Sequence, residues 1–213
     1  MPKAPRNAQK IIEIKDRILE EALQLILDDG FVHFSMRRLG ARLGMTAANI
    51  YNYFTNKDEI YLLIQTKGFA RLAETFEEIG KKRTAPLKRI EEMIRAYLAF
   101  GTENPDYYEI MFSRNTPKYA DYVGTAMEPA AFHEKQTALR AAEKATAAVM
   151  ALGVTEEEAR FRMIQLWSML NGLVNLLNSR VLQEVDHRVE DIVNRIVDDL
   201  MKPFREFKKE KRR

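Results

Sequence analysis

Residues 35–54 read Ser35-Met36-Arg37-Arg38-Leu39-Gly40-Ala41-Arg42-Leu43-Gly44-Met45-Thr46-Ala47-Ala48-Asn49-Ile50-Tyr51-Asn52-Tyr53-Phe54. Ser35 is a good N-cap for a short helix over 36–43 that turns Met36, Leu39 and Leu43 to one side. Gly44 ends it. A second short helix begins at Thr46, and its spacing predicts Ala47, Ile50, Tyr51 and Phe54 on the core side. Thr46, Ala48, Asn49, Asn52 and Tyr53 are then left outward. Two short helices around a tight glycine turn, with a longer helix before and another after, make the geometry that lets the second helix enter a DNA major groove.

The outward set is small and polar, as groove readout requires. The Thr46 hydroxyl and the free amides of the helix start suit a phosphate. Asn52 could pair with adenine or accept from cytosine, and the Ala47 and Ala48 methyls could touch a thymine methyl. Arg37, Arg38 and Lys57 are placed to grip the backbone on either side, with Ser35 and Asn49 completing the DNA-facing set. Short helices around glycine turns also occur in bundles that never meet DNA. Spacing alone therefore leaves a second reading open: a helical small-molecule-binding or scaffold protein whose N-terminal motif does not bind DNA.

Outward from this stretch, apolar residues recur at three- and four-residue spacing, and no segment alternates as a half-buried strand does, so the fold class is all-α. The first helix carries Ile11, Ile14, Ile18, Ala22, Leu25 and Ile26 on one face and stops near Gly30, which can close it in the left-handed conformation. Asn56 caps a fourth helix reaching about Gly80, with Glu59 placed as in a capping box. Lys81-Lys82-Arg83-Thr84-Ala85-Pro86 is a polar break, and the domain boundary is placed there. The expected organisation is a DNA-binding domain over 12–72, a larger helical domain over 84–208, and basic, mobile ends at 1–11 and 209–213. Helices in the larger domain are predicted at 85–102, 105–113, 118–152, 156–182 and 187–208. Thr155-Glu156-Glu157-Glu158 gives the clearest of those starts.

Composition narrows the function classes. The chain of 213 residues has no cysteine, which excludes disulfides and thiolate metal sites, and its net charge is only +3. His33, His133 and His187 lack paired ligand spacing, so no metal and no cofactor is expected. Adjacent acids such as Asp28-Asp29 and Glu156 to Glu158 read as solvated helix surface. No nucleophile elbow or phosphate-cradling glycine loop occurs, and no enzyme activity is expected. No stretch reaches the length of apolar residues a bilayer requires, because Asn171, Gly172, Asn175 and Asn178 interrupt the greasiest segment. The N-terminus lacks an apolar signal core, which points to the cytoplasm.

Identity of residues adds what spacing cannot. Ile50-Tyr51-Asn52-Tyr53-Phe54-Thr55-Asn56-Lys57-Asp58-Glu59-Ile60, with Lys15 to Leu19, Gly30-Phe31 and Ser35 to Gly40 upstream, resembles the tetracycline-repressor (TetR) family over residues 12 to 72. The resemblance implies that Tyr51 and Tyr53 reach phosphates or bases and that Lys57 contacts a phosphate. The sequence departs from the family's usual pattern at Gly40, where alanine is commoner, and at Met45, where valine is. For the larger domain the resemblance implies an effector pocket and a dimer.

The residues of that domain fit both, without requiring them. Met93, Tyr97, Phe100, Tyr107, Tyr108, Met111, Phe112, Met163 and Trp167 form an aromatic and methionine-rich set, with Asn171 as a polar anchor. Core packing explains such a set as readily as a ligand does; the family resemblance favours a largely apolar pocket. Ser168, Gly172, Asn175 and Ser179 make a stripe of small residues, and Val189, Ile192, Val193, Ile196, Val197 and Leu200 a broad apolar face. These two helices and their twofold mates are expected to form a four-helix dimer interface. The function implied is a dimeric transcriptional regulator, a repressor released from a palindromic operator by a small apolar effector.

Overall fold

The computed structural model describes residues 8–113 and 116–210, and every regular element among them is helical. The elements are α1 (Ala8–Asp29), α2 (Met36–Leu43), α3 (Ala47–Tyr51), α4 (Lys57–Lys81), α5 (Pro86–Glu103), α6 (Pro105–Tyr108) with a π-helical turn at Glu109–Ser113, α7 (Tyr119–Tyr122), α8 (Glu128–Met150), α9 (Glu156–Asn178), α10 (Val181–Val185) and α11 (Val189–Glu210). Residues 8–11 form the first turn of α1 rather than part of a tail. At the other end, 209–210 belong to the last helix, and the remainder of the basic ends, 1–7 and 211–213, lies outside the described residues.

Two of the expected long helices are divided. The helix expected over 118–152 breaks between Tyr122 and Glu128, where Gly124 takes φ +79° and reverses the chain. The helix expected over 156–182 ends at Asn178, because Arg180 adopts φ 61°, and α10 follows as a separate turn. Apolar periodicity continues across both breaks, so a pattern of side chains alone does not reveal them.

Packing divides the chain into two units: 1–68 with 106–135, and 69–105 with 136–213. The division falls inside α4 rather than at the polar break 81–86, although that break does end the helix. In the first unit, Ile18, Ala22 and Ile26 of α1 are fully buried, together with Phe34, Leu39, Ile50, Ile60 and Ile64. Each large apolar side chain among these contributes about 1.5 to 3 kcal/mol on burial. Arg42 ties α2 to α1 by ion pairs to Glu21 (3.1 Å) and Asp28 (2.7 Å).

The stretch 106–127 adds a layer to this unit, although its position in the sequence places it with the larger domain. Asp58, Tyr61, Gln65 and Gly68 lie at i, i+3, i+7 and i+10, hence on one face of α4. Asp58 accepts from the Tyr122 hydroxyl (3.1 Å), Tyr61 bonds the Thr116 hydroxyl, and Gln65 Nε2 donates to the Ile110 carbonyl (3.2 Å). At Gly68 a Cβ would stand 2.5 Å from Met111 Sδ, so the absence of a side chain admits Met111. At the other end Gln24 of α1 donates to Asp106 (2.7 Å).

In the second unit α5 packs on α9 and α11, and α10 packs on α9. Its core is drawn from Ile90, Met93, Ile94 and Tyr97 of α5, Leu170, Leu173 and Val174 of α9, and Val197, Leu200, Met201 and Phe204 of α11. None of the helices among the described residues is long and apolar enough to cross a membrane.

Candidate nucleic-acid interface

The α2–α3 pair is built by its caps and its glycines. Ser35 Oγ accepts from the Arg38 amide (3.3 Å) and Thr46 Oγ1 from the Asn49 amide (3.2 Å), so each helix starts at a side-chain cap. Gly44 sits at φ 65°, a conformation costly for residues with a Cβ. Its amide reaches the Ala41 carbonyl, and the Met45 amide reaches the Gly40 carbonyl at 2.8 Å. A Cβ on Gly40 would stand 2.8 Å from the Met45 carbonyl oxygen and 3.2 Å from the Ala47 amide nitrogen. Gly40 is therefore where α2 comes close against the turn and the start of α3, and its departure from the family's usual alanine has a steric reason.

Ile50 is the only fully buried residue of α3 and, with buried Leu39, pins it to α2. Ala48, Tyr51 and Asn52 are exposed, and so is the side of the helix carrying Asn49; Thr46 and Ala47 stand at its N-terminal edge. The two tyrosines are reversed from the expectation: Tyr51 is 55% exposed, whereas Tyr53 is 9% exposed. The Tyr53 amide (2.8 Å) and the Phe54 amide (3.1 Å) both donate to the Ile50 carbonyl, so the chain keeps a helical path past α3. Tyr53, at i+3 from Ile50, falls on the buried side with Ile50 and Phe54, while Tyr51 falls outside it.

The basic residues separate in the same way. Arg37 is exposed and stands on the outer side of α2. Arg38, by contrast, pairs with Asp29 (2.5 Å) and donates to the His33 carbonyl (3.4 Å) at the α1–α2 junction, with its side chain still 45% exposed. Lys57 is half-buried, with its ammonium 4.6 Å from the centre of the Phe31 ring and 3.5 Å from the Phe31 carbonyl. Phe31 packs in turn, tilted, against Tyr61 (4.7 Å between ring centres), so the first turn of α4 is braced from below. Asn56 Oδ1 caps the Glu59 amide (2.9 Å), and Glu59 Oε2 accepts from the Thr55 amide (2.5 Å), close to the expected capping box.

The aromatic set expected to line a pocket is distributed over the two units. Tyr107, Tyr108, Met111 and Phe112 belong to the first, and Met93, Tyr97, Phe100, Met163, Trp167 and Asn171 to the second. The second group contains a polar relay: Trp167 Nε1 donates to Tyr97 Oη (3.0 Å), which donates to Asn171 Oδ1 (3.0 Å). Buried Tyr97 thus has both a lone pair and its proton occupied within the chain, while Trp167 remains 41% exposed. No group of acids and histidines among the described residues could hold a metal ion.

Ser168 and Asn175 of α9 and Ser179 at its C-cap are exposed, as the small-residue stripe implies, and Gly172 has open space where a Cβ would stand. Phe161 and Ile164 are also exposed and continue the stripe toward the start of α9, seven and four residues before Ser168, while Met169 and Leu176 are exposed along one side of it. Val189, Ile192, Val193 and Ile196 of α11 are half-buried. Leu200, expected at a dimer surface, is instead 7% exposed within its own chain. The apolar face of α11 is wide enough to supply the core of its own unit through Val197, Leu200, Met201 and Phe204.

Comparisons with known proteins agree with this geometry. Residues 18–64 match the bacterial regulatory proteins of the tetR family, and residues 90–200, over half of the chain, match the tetracyclin repressor-like C-terminal domain. The HTH-type transcriptional regulator Rv1816 of Mycobacterium tuberculosis is 26% identical over 116 residues, 54% of this chain and 49% of that protein. The HTH-type transcriptional repressor AcnR of Corynebacterium efficiens is 27% identical over 103 residues, 48% of each chain. The chain thus spans about half the length of the curated relatives it matches. The TetR family transcriptional regulator PfmR of Thermus thermophilus shares the fold, with a TM-score of 0.67 and 21% identity, covering 88% of this chain and 98% of that one. With a glycine-turned pair of short helices presenting one side of α3 to solvent, and with both family domains matched in order, the chain belongs to the TetR family of DNA-binding transcriptional regulators.

Proposed function

We propose that the protein is a dimeric, ligand-responsive repressor that places α3 of each protomer in the major groove of a palindromic operator and leaves it when a small, largely apolar effector binds. The observation that carries this is the exposed side of α3. Ala48, Tyr51 and Asn52 face solvent from a helix whose inner side is anchored by Ile50. In this reading Asn52 and Asn49 meet base edges, the alanine methyls meet thymine, and Tyr51, Thr46, Arg37 and Lys57 hold phosphates. Thr46 Oγ1 uses a lone pair for its cap, which leaves its proton for a phosphate oxygen. Tyr53 supports the reader from beneath, as its burial indicates.

The exposed apolar residues on and beside the α9 stripe support dimerisation, since an isolated chain would leave them in water. Joining two readers makes the second half-site contact intramolecular, so weak single contacts suffice. AcnR, a relative that is named a repressor, supports the sign of regulation. For the effector, the Trp167–Tyr97–Asn171 relay supports a mostly apolar molecule with one polar group, able to exchange with a hydrogen bond of the relay. An effector acts only by binding one separation of the readers better than another.

Selection of bound duplexes from a random DNA pool tests the core of the proposal. The expected outcome is a symmetric pair of half-sites, bound with a steep salt dependence. A purified protein that enriches no duplex even at low salt would return the helical scaffold reading to first place.

A further inference from the structure

The hydrogen-bonding face of α4 has an upper end that DNA contact does not explain. Residues 122–128 form a turn bonded to itself. The Thr125 hydroxyl donates to the Tyr122 carbonyl (2.7 Å), the Met127 amide to the Thr125 hydroxyl (3.2 Å), and the Gly124 amide to Glu128 Oε2 (2.8 Å). With φ +79° at Gly124, this turn has a fixed shape and holds out two groups. The Tyr122 hydroxyl donates to Asp58 Oδ1 at 3.1 Å, and Met127 Sδ accepts from Asn56 Nδ2 at 3.4 Å. Asn56 and Asp58 flank Lys57, the first residue of α4, a few residues beyond the end of α3 at Tyr51.

We propose that Tyr122 and Met127 are positioning residues for DNA binding: their turn latches the first turn of α4 and so sets where α3 stands. Asn56 works on both sides of this latch. Its Oδ1 caps the Glu59 amide while its Nδ2 meets Met127, so movement of the turn pulls on the cap of α4 itself. The Tyr122 phenol is buried, and burial first, then the neighbouring Asp58, raises its pKa, so it stays the donor at any physiological pH. A bond to an ionised carboxylate is among the stronger ones available. Tyr122 is buried and both side chains are turned to Asp58 and Asn56, so the pair governs affinity without touching nucleic acid.

The inference rests on the proposed DNA reading, and the test separates the two. Duplexes selected by the wild-type chain are titrated with wild type, Tyr122→Phe, Asp58→Asn and the double variant, over a range of salt. Tyr122→Phe is expected to weaken binding about three- to tenfold, less than the full worth of one hydrogen bond to a charged group because the latch reaches DNA binding only through the position of α3. The salt slope should stay unchanged, because no phosphate contact is lost. In the Asp58→Asn background the same change should have less than half that effect. Wild-type affinity in Tyr122→Phe, an equal loss in both backgrounds, or a shallower salt slope would each overturn the latch. If wild type selects no duplex, it is the DNA reading that fails. Met127→Leu, expected to weaken binding about twofold, reads the same coupling through Asn56, and unchanged binding in that variant together with an unfolded Tyr122→Phe would also count against it.

Discussion

Gly40 shows how one hydrogen in place of a methyl sets the geometry of a reader. Helix propensity favours alanine over glycine by about 1 kcal/mol, and a family-guided substitution would restore it. The 2.8 Å approach to the Met45 carbonyl opposes this, since a backbone atom in a tight turn cannot give way cheaply. Overpacking of this kind costs about 1 to 3 kcal/mol. Gly40→Ala is therefore expected to lower the urea midpoint of unfolding and weaken operator binding, and a raised midpoint would refute the steric account. The two tyrosines make a paired test. Tyr51→Ala is expected to weaken operator binding about tenfold with unchanged Tm, consistent with loss of about 1 to 2 kcal/mol of contact. Tyr53→Ala, which empties a buried site, is expected to cost about 3 kcal/mol of folding stability in denaturant titration.

At the scale of elements, a short helix is held by its ends and neighbours more than by itself, and α3 has only five residues. Its position is inherited from α2 through Gly40 and from α4 through the braced first turn. The entry to α11 illustrates a capped end with a pH signature. Asp186 accepts from the side chain and amide of Arg188 (2.8 and 2.9 Å), and those bonds hold its carboxyl down to about 2. A depressed carboxylate stabilises the fold above its unfolded value and ceases to do so as pH falls through the folded value. Asp186→Asn is accordingly expected to unfold more easily than wild type at neutral pH, with the difference closing between about pH 4 and pH 2. Thermal melts at stepped pH would show it, and a difference that persisted below pH 2 would contradict the assignment.

For the whole molecule, the exposed side of α9 is the feature that one chain alone does not justify. A Cβ on Gly172 would meet nothing within 4 Å, so substitution is harmless inside the chain. Gly172→Glu is expected to halve the mass seen in light scattering while leaving helicity intact, because two copies would bring like charges together across a twofold axis. Wild type of monomeric mass would refute the dimer at once. An apolar effector seated near the relay is expected to raise Tm and shift Trp167 emission. Tyr97→Phe should weaken that binding, as the relay loses both its donor and its acceptor.

Local chemistry determined much of this in advance. Serine, threonine and asparagine caps, glycine stops and apolar spacing placed α2, α3 and the starts of α4 and α9, since each depends on bonds within four residues of itself. The outward reader residues Ala48 and Asn52 followed from the same spacing. Tertiary structure alone decided the rest. Arg38 pairs with Asp29 because Asp29 stands across a loop, and Leu200 lies inside because α11 packs against its own unit. The stretch 106–127 joined the reader's unit rather than the larger one because Asp58, Tyr61 and Gln65 bond to it across 45 to 64 positions of chain. Periodicity records which side of a helix is apolar, but partners that distant in sequence leave no local pattern to be read.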